Sequence, residues 1–99
     1  MVDPQTVTSP KARWKLVCLL YNEGKGGYSV ALGLWDDEPA LGLRYNGDED
    51  PSDKGSPIVR GKPAWFIVKG SELQKHIFKA LLKVAEVNQN CLGKAKSLL

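Results

Sequence analysis

Two neighbouring stretches carry residues that could hold a flat ligand. Ala31-Leu32-Gly33-Leu34-Trp35 and Ala40-Leu41-Gly42-Leu43-Arg44 repeat Ala-Leu-Gly-Leu on either side of Asp36-Asp37-Glu38-Pro39. Indole and guanidinium planes are surfaces on which unpaired nucleobases stack, at about 1–3 kcal/mol per base. Glycine inside a strand weakens it and marks a bend or a close approach. A hairpin with a four-residue loop closes on Trp35 opposite Ala40. Alternation then sets Leu34 against Leu41 and Leu32 against Leu43 on one side. Gly33 meets Gly42, and Ala31 meets Arg44, on the other. One side is an apolar wall, and the other is bare backbone between an indole and a guanidinium. Two readings stand: the glycines admit a bend or a closely packed element, or they open a platform for rings.

Further aromatic and basic residues interleave. Tyr21 and Tyr28 flank the Lys25 turn, Trp14 lies between Arg13 and Lys15, and Arg60 and Lys62 lead into Trp65. Such interleaving suits a single strand, whose phosphates need cations and whose bases need rings. The candidate nucleic-acid contacts are Arg13, Lys15, Tyr21, Lys25, Trp35, Arg44, Arg60 and Lys62. Trp14, Trp65 and Phe66 read as core. The sole histidine, His76, has no Cys or carboxylate constellation, and no nucleophile elbow, Walker loop or metal motif occurs. Gly24-Lys25-Gly26-Gly27 joins two strands with no helix after it, unlike a phosphate loop. The chain therefore reads as a non-enzyme without cofactors.

The elements that must position these residues follow from patterning. Strands are expected over 13–21, 28–35, 40–45 and 64–68, with Pro63 at a strand start. Residues 46–57, rich in Gly, Pro, Asp and Ser, form an exposed loop. Ser71 with Gln74 makes a capping box for a helix that carries Leu73, Ile77, Ala80, Leu81 and Val84 on one face and ends near Asn88. The expected fold is α+β: a curved four-stranded antiparallel sheet followed by one C-terminal helix, β-β-β-β-α. Residues 1–12 read as a flexible tail, 13–87 as the domain, and 88–99 as a tail or short extra turn. The first strand is apolar on both faces from Leu16 onward, and one helix covers only one face. A second copy of the chain is the expected cover for the other, making a homodimer.

Composition bounds the rest. The 99 residues allow one domain, with 25% charged and 42% hydrophobic residues. The net charge of +3 is unevenly spread: Asp36, Asp37, Glu38, Asp48, Glu49, Asp50 and Asp53 crowd two turns, whereas residues 54–83 hold seven bases against Glu72. No run approaches a membrane span, and the N-terminus has no apolar leader. These features lead to an intracellular expectation. Cys18 and Cys91 lie far apart with no metal-ligand spacing, and a disulfide between them is disfavoured in a reducing compartment.

The order β-β-β-β-α, Leu43-Arg44-Tyr45 at a strand end, and Arg60-Gly61-Lys62 leading into an apolar strand and a capped helix resemble the positive cofactor four family of single-stranded DNA-binding coactivators. The likeness covers about residues 13–85, with Pro63 replacing a family glycine. The resemblance implies a dimer whose sheets bind unpaired DNA, or RNA, with little sequence preference. It also implies roles in transcription, replication or recombination beside proteins of those processes, in a bacterial or phage-infected cytoplasm, or in a nucleus if the chain is eukaryotic. On its pattern Arg44, Lys25 and Tyr21 match binding positions best. The alternative is a protein-interaction module using the bare sheet face or the acidic loop.

Overall fold

The structure, a computed structural model, describes residues 1–70 and 72–99. Three long strands arise where patterning calls for them: β1 (Trp14–Asn22), β2 (Tyr28–Trp35) and β3 (Glu38–Tyr45). Two short strands, β4 (Ile58–Val59) and β5 (Lys62–Pro63), make a separate hairpin, and β6 (Phe66–Val68) closes the main sheet. The main sheet has the order β1-β2-β3-β6 and is antiparallel throughout. Helices α1 (Glu72–Leu81) and α2 (Gln89–Leu98) follow.

The expected β-β-β-β-α fold is thus corrected. The chain adds a two-stranded sheet and a second helix. Helix α1 stops at Leu81 because the chain must turn inward there. Val87 is buried, and the Asn88 N–H donates to Leu20 O at 2.8 Å. The Asn88 side chain then caps α2 by accepting from Cys91 N. Within the expected capping box, Gln74 Oε1 accepts from Gly70 N, while Ser71 lies outside the described residues.

The β2–β3 hairpin is tighter than a four-residue loop. Trp35 pairs with Glu38, leaving a two-residue turn in which Asp36 and Asp37 have φ of 50° and 68°. Left-handed geometry at both positions marks the turn that matches strand twist, and aspartate tolerates it. The register therefore moves by two residues: Leu32 faces Leu41, and Gly42 faces Ala31 rather than Gly33. An even shift preserves sides. The leucine wall and the glycine face survive with different partners.

Both faces are covered within the chain. Against the leucine wall, α1 and α2 bury Leu20, Val30, Leu32, Leu41, Val68, Leu81, Val87, Cys91, Leu92 and Ala95. Against the glycine face, Trp14, Trp65 and Val7 close on Ala31 and Ala40. Strand β1 serves both layers through two irregularities, one between Leu16 and Cys18 and one between Leu19 and Tyr21. A bulge resets alternation. It turns Trp14, Leu16 and Leu19 to one core and Cys18, Leu20 and Tyr21 to the other. The face for which a second copy was expected is filled by the chain's own residues.

Residues 1–12, expected as a loose tail, are fastened down. A 3-10 turn at Pro4–Thr6 precedes buried Val7, whose carbonyl accepts from Trp65 Nε1 at 2.7 Å. Trp65 N donates to Ser9 O. Cys18 and Cys91, expected as separate thiols, form a disulfide that ties α2 to β1. The long separation hid the pair, because the helix that brings Cys91 back to β1 was not apparent. No described helix is long and apolar enough to cross a membrane.

Candidate binding surface

The glycine face is the first place to look, and it is closed. A Cβ on Gly33 would come within 2.3 Å of the Trp14 ring and 2.7 Å of Lys15 O; on Gly42 it would meet Trp14 and Trp65 at 3.1 Å. The glycines therefore serve the close approach of two core indoles, whose centroids are 6.5 Å apart. The other reading, an open platform, finds no space there.

Arg44, expected at the rim of that platform, is 2% exposed. Its Nη1 donates to Ala64 O at 2.7 Å and its Nη2 to Lys54 O, while Nε has no acceptor among the described residues. Desolvation lowers its pKa. With no carboxylate partner among the described residues, the guanidinium works as a clamp that holds the 46–65 excursion against β3. At the other end, Arg13 covers half-buried Trp35, its Cζ 4.6 Å from the ring centroid, and pairs with Asp36. The Arg13 pair holds the Asp36 carboxyl below the usual carboxylate range. Trp35 therefore offers little free ring. Lys15, Lys25, Arg60 and Lys62 are exposed, on β1, the first turn and the β4–β5 hairpin respectively. The eight expected contacts do not converge on one groove.

The leucine face offers something else. Beyond the part covered by the helices, each strand of the main sheet contributes one ring to the same side. Tyr21 pairs with Val30, Tyr28 with Tyr45, and Phe66 with Leu43, and all these share the leucine side. Tyr28 and Phe66 are each 59% exposed, while Tyr21 and Tyr45 are half-buried. The Tyr28 and Tyr45 ring centroids are 5.5 Å apart. The row is staggered: Tyr21 and Phe66 stand level with Val30 and Leu43, and Tyr28 and Tyr45 lie two residues further along, across a width of roughly 14 Å at about 4.8 Å between strands.

Local hydrogen bonds fix this row. Asn46, fully buried, donates from Nδ2 to Asn22 Oδ1 and Gly24 O, and accepts from Ser29 Oγ at 2.7 Å. These bonds lock the first turn to the end of β3, so Tyr28 and Tyr45 cannot slide apart. Gly55 completes the corner at φ +70°, where a Cβ would strike Tyr45 O at 2.0 Å. The row is also acidic. Tyr21 donates to Glu23 Oε2 at 3.2 Å, and Tyr45 to Asp48 Oδ1 at 2.5 Å. The Asp48 bond pushes the Tyr45 phenol up to about 12. Burial first, and then Glu23, raise Tyr21. Asp53 sits nearby, held below the usual carboxylate range by the backbone N–H groups of Asp48 and Gly55.

Of the sequence candidates, Tyr21 belongs to this row and Lys25 lies on the adjoining turn. Tyr28 and Tyr45 escaped notice as a pair because the four-residue loop set Tyr45 against Val30. A two-residue turn at Asp36-Asp37 was the available signal. Among the described residues no group of three or more His, Cys, Asp or Glu could hold a metal ion. Comparison with protein-family models, curated proteins and solved structures finds no match to this chain.

Proposed function

We propose that the protein is a non-catalytic interaction module that takes a Lys- or Arg-bearing polypeptide segment on the Tyr21–Tyr28–Tyr45–Phe66 row. The observation that carries the reading is one ring from each strand of the main sheet on the leucine side, Tyr28 and Phe66 exposed and Tyr21 and Tyr45 half-buried. Ring faces attract ammonium and guanidinium groups, by about 0.5–1 kcal/mol at exposed sites. Glu23 and Asp48 sit at two of the phenols and complement the same charge. Aromatic residues also supply contact area at low cost in side-chain entropy.

An unpaired nucleic acid would need cations beside the rings, and here carboxylates stand there. Single-stranded DNA or RNA therefore ranks second, resting on the separate exposed bases Lys15, Lys25, Arg60 and Lys62. The Cys18–Cys91 bridge favours an oxidising compartment over the reducing interior that the sequence suggests.

The test is an NMR titration of the 15N-labelled protein with an Arg/Lys-rich decapeptide, and in parallel with an oligo-dT of about 20 nucleotides at low salt. Shifts from the peptide confined to Tyr21, Tyr28, Tyr45 and Phe66 support the reading, as does their loss in Tyr28→Ala. Oligo-dT binding across those four residues, or no peptide shifts at millimolar concentration, refutes it.

A further inference from the structure

We infer that a cleft between α1 and α2 is a binding site for a single-chain fatty carboxylate. The cleft has a volume of about 540 Å³ and is lined by Gly70, Lys75, Phe78, Lys79, Ala95 and Lys96, among others. It continues past Gly70 and Gln74 into a second recess of about 420 Å³ beside Leu98. Pockets of about 300–1,000 Å³ suit small molecules rather than folded partners.

The cleft is amphipathic in a particular sense. Its floor is the half-buried Phe78 ring and the buried Ala95 methyl. Its rim is cationic: Lys75 and Lys79 lie one turn apart on α1, and Lys96 faces them from α2. Lys75 reaches Glu72 at 3.4 Å, with both side chains largely exposed. Among the described residues, Lys79 and Lys96 have no ion pair. Lysine stems add methylenes to an apolar wall while their ammonium groups stay in water. Glu38 and Lys69 line the second recess, and Leu99 with its terminal carboxylate lines both. An apolar floor under a rim of three lysines, two of them outside any ion pair among the described residues, complements a chain with an anionic head. The tail lies over Phe78 and Ala95 toward Leu98, and the carboxylate sits between Lys79 and Lys96. The volume argues for a single chain rather than a peptide helix.

The test is calorimetric titration of the intact, oxidised protein with decanoate and dodecanoate below their micelle concentrations, and with dodecanol. Affinity should rise about fourfold per added methylene. Dodecanol should bind at least tenfold more weakly than dodecanoate. The double variant K79E/K96E, at two exposed positions, should lose at least tenfold for dodecanoate while keeping its far-UV circular dichroism and its weak dodecanol binding. Tyr28→Ala should leave dodecanoate binding intact, which separates this site from the aromatic row. No dodecanoate binding overturns the inference. So does equal binding of dodecanol, indifference to the charge reversal, or preference for an acidic amphipathic peptide over dodecanoate.

Discussion

Removing the Cys18–Cys91 disulfide should cost a large part of this protein's stability. The bridge closes a loop with a sequence separation of 73 residues. In the chain-entropy treatment, the loss of unfolded-state freedom is −2.1 − 1.5R ln n, which for this loop is about 15 cal/mol/K, or about 4.4 kcal/mol at 25 °C. Domains of this size are stable by about 5–15 kcal/mol, so the bridge is comparable to the whole margin. Cys91 is 1% exposed among Leu20, Val87 and Leu92, so a polar replacement would add a burial penalty of its own. Cys18→Ala/Cys91→Ala is the cleaner variant. The assay is urea unfolding followed by tryptophan fluorescence, since Trp14 and Trp65 are both buried. At an m-value of about 1.5 kcal/mol/M, the midpoint should fall by about 3 M. A fall below about 0.5 M would refute the reasoning, because α2 would then be held by its apolar face without need of the crosslink.

Other expectations follow from the same contacts. Gly33→Ala should destabilise by about 1–3 kcal/mol or more, since its Cβ meets both the Trp14 ring and a backbone oxygen. Gly42→Ala should cost clearly less, and equal urea midpoints for the two would count against this packing. Arg44→Ala should cost about 3 kcal/mol or more by leaving the carbonyls of Ala64 and Lys54 without their donor. Native stability in that variant would show that the clamp is dispensable. In alkaline titration at 295 nm, one phenol should stay protonated until about pH 12, and Asp48→Ala should return it toward 10. The folded value lies above the unfolded one, so the bond's stabilisation is complete below pH 10 and disappears as pH rises toward 12.

What the sequence made legible, and what it did not, divides along physical lines. Strands β1 to β3 were readable because their apolar runs are bounded by glycine and aspartate turns. The two faces of β2–β3 were readable for a further reason: a register error of two residues leaves sides unchanged, so the leucine wall survived a wrong loop length. The faces of β1 were not readable, because two bulges break the alternation that any periodic reading assumes. The burial of Arg44 was invisible to a charge count. Arginine is read as surface by default, and only the carbonyls brought round by residues 54–64 make its interior site tolerable. The aromatic row needed the correct two-residue turn, and the cleft needed an α2 that weak local periodicity did not announce.

The disulfide joins the first strand of the sheet to its last helix, and this bears on the order in which the protein can be made. The leucine face stays without its α2 cover until residues 89–98 have left the ribosome. Val7 and Trp65 likewise await each other across 58 residues of sequence. Neither side of the sheet can be completed piecemeal during synthesis at about 5–20 residues per second. A nascent chain therefore exposes its strands' apolar sides for several seconds, a holding chaperone would find its substrate in that interval, and the Cys18 thiol waits for its partner until Cys91 emerges.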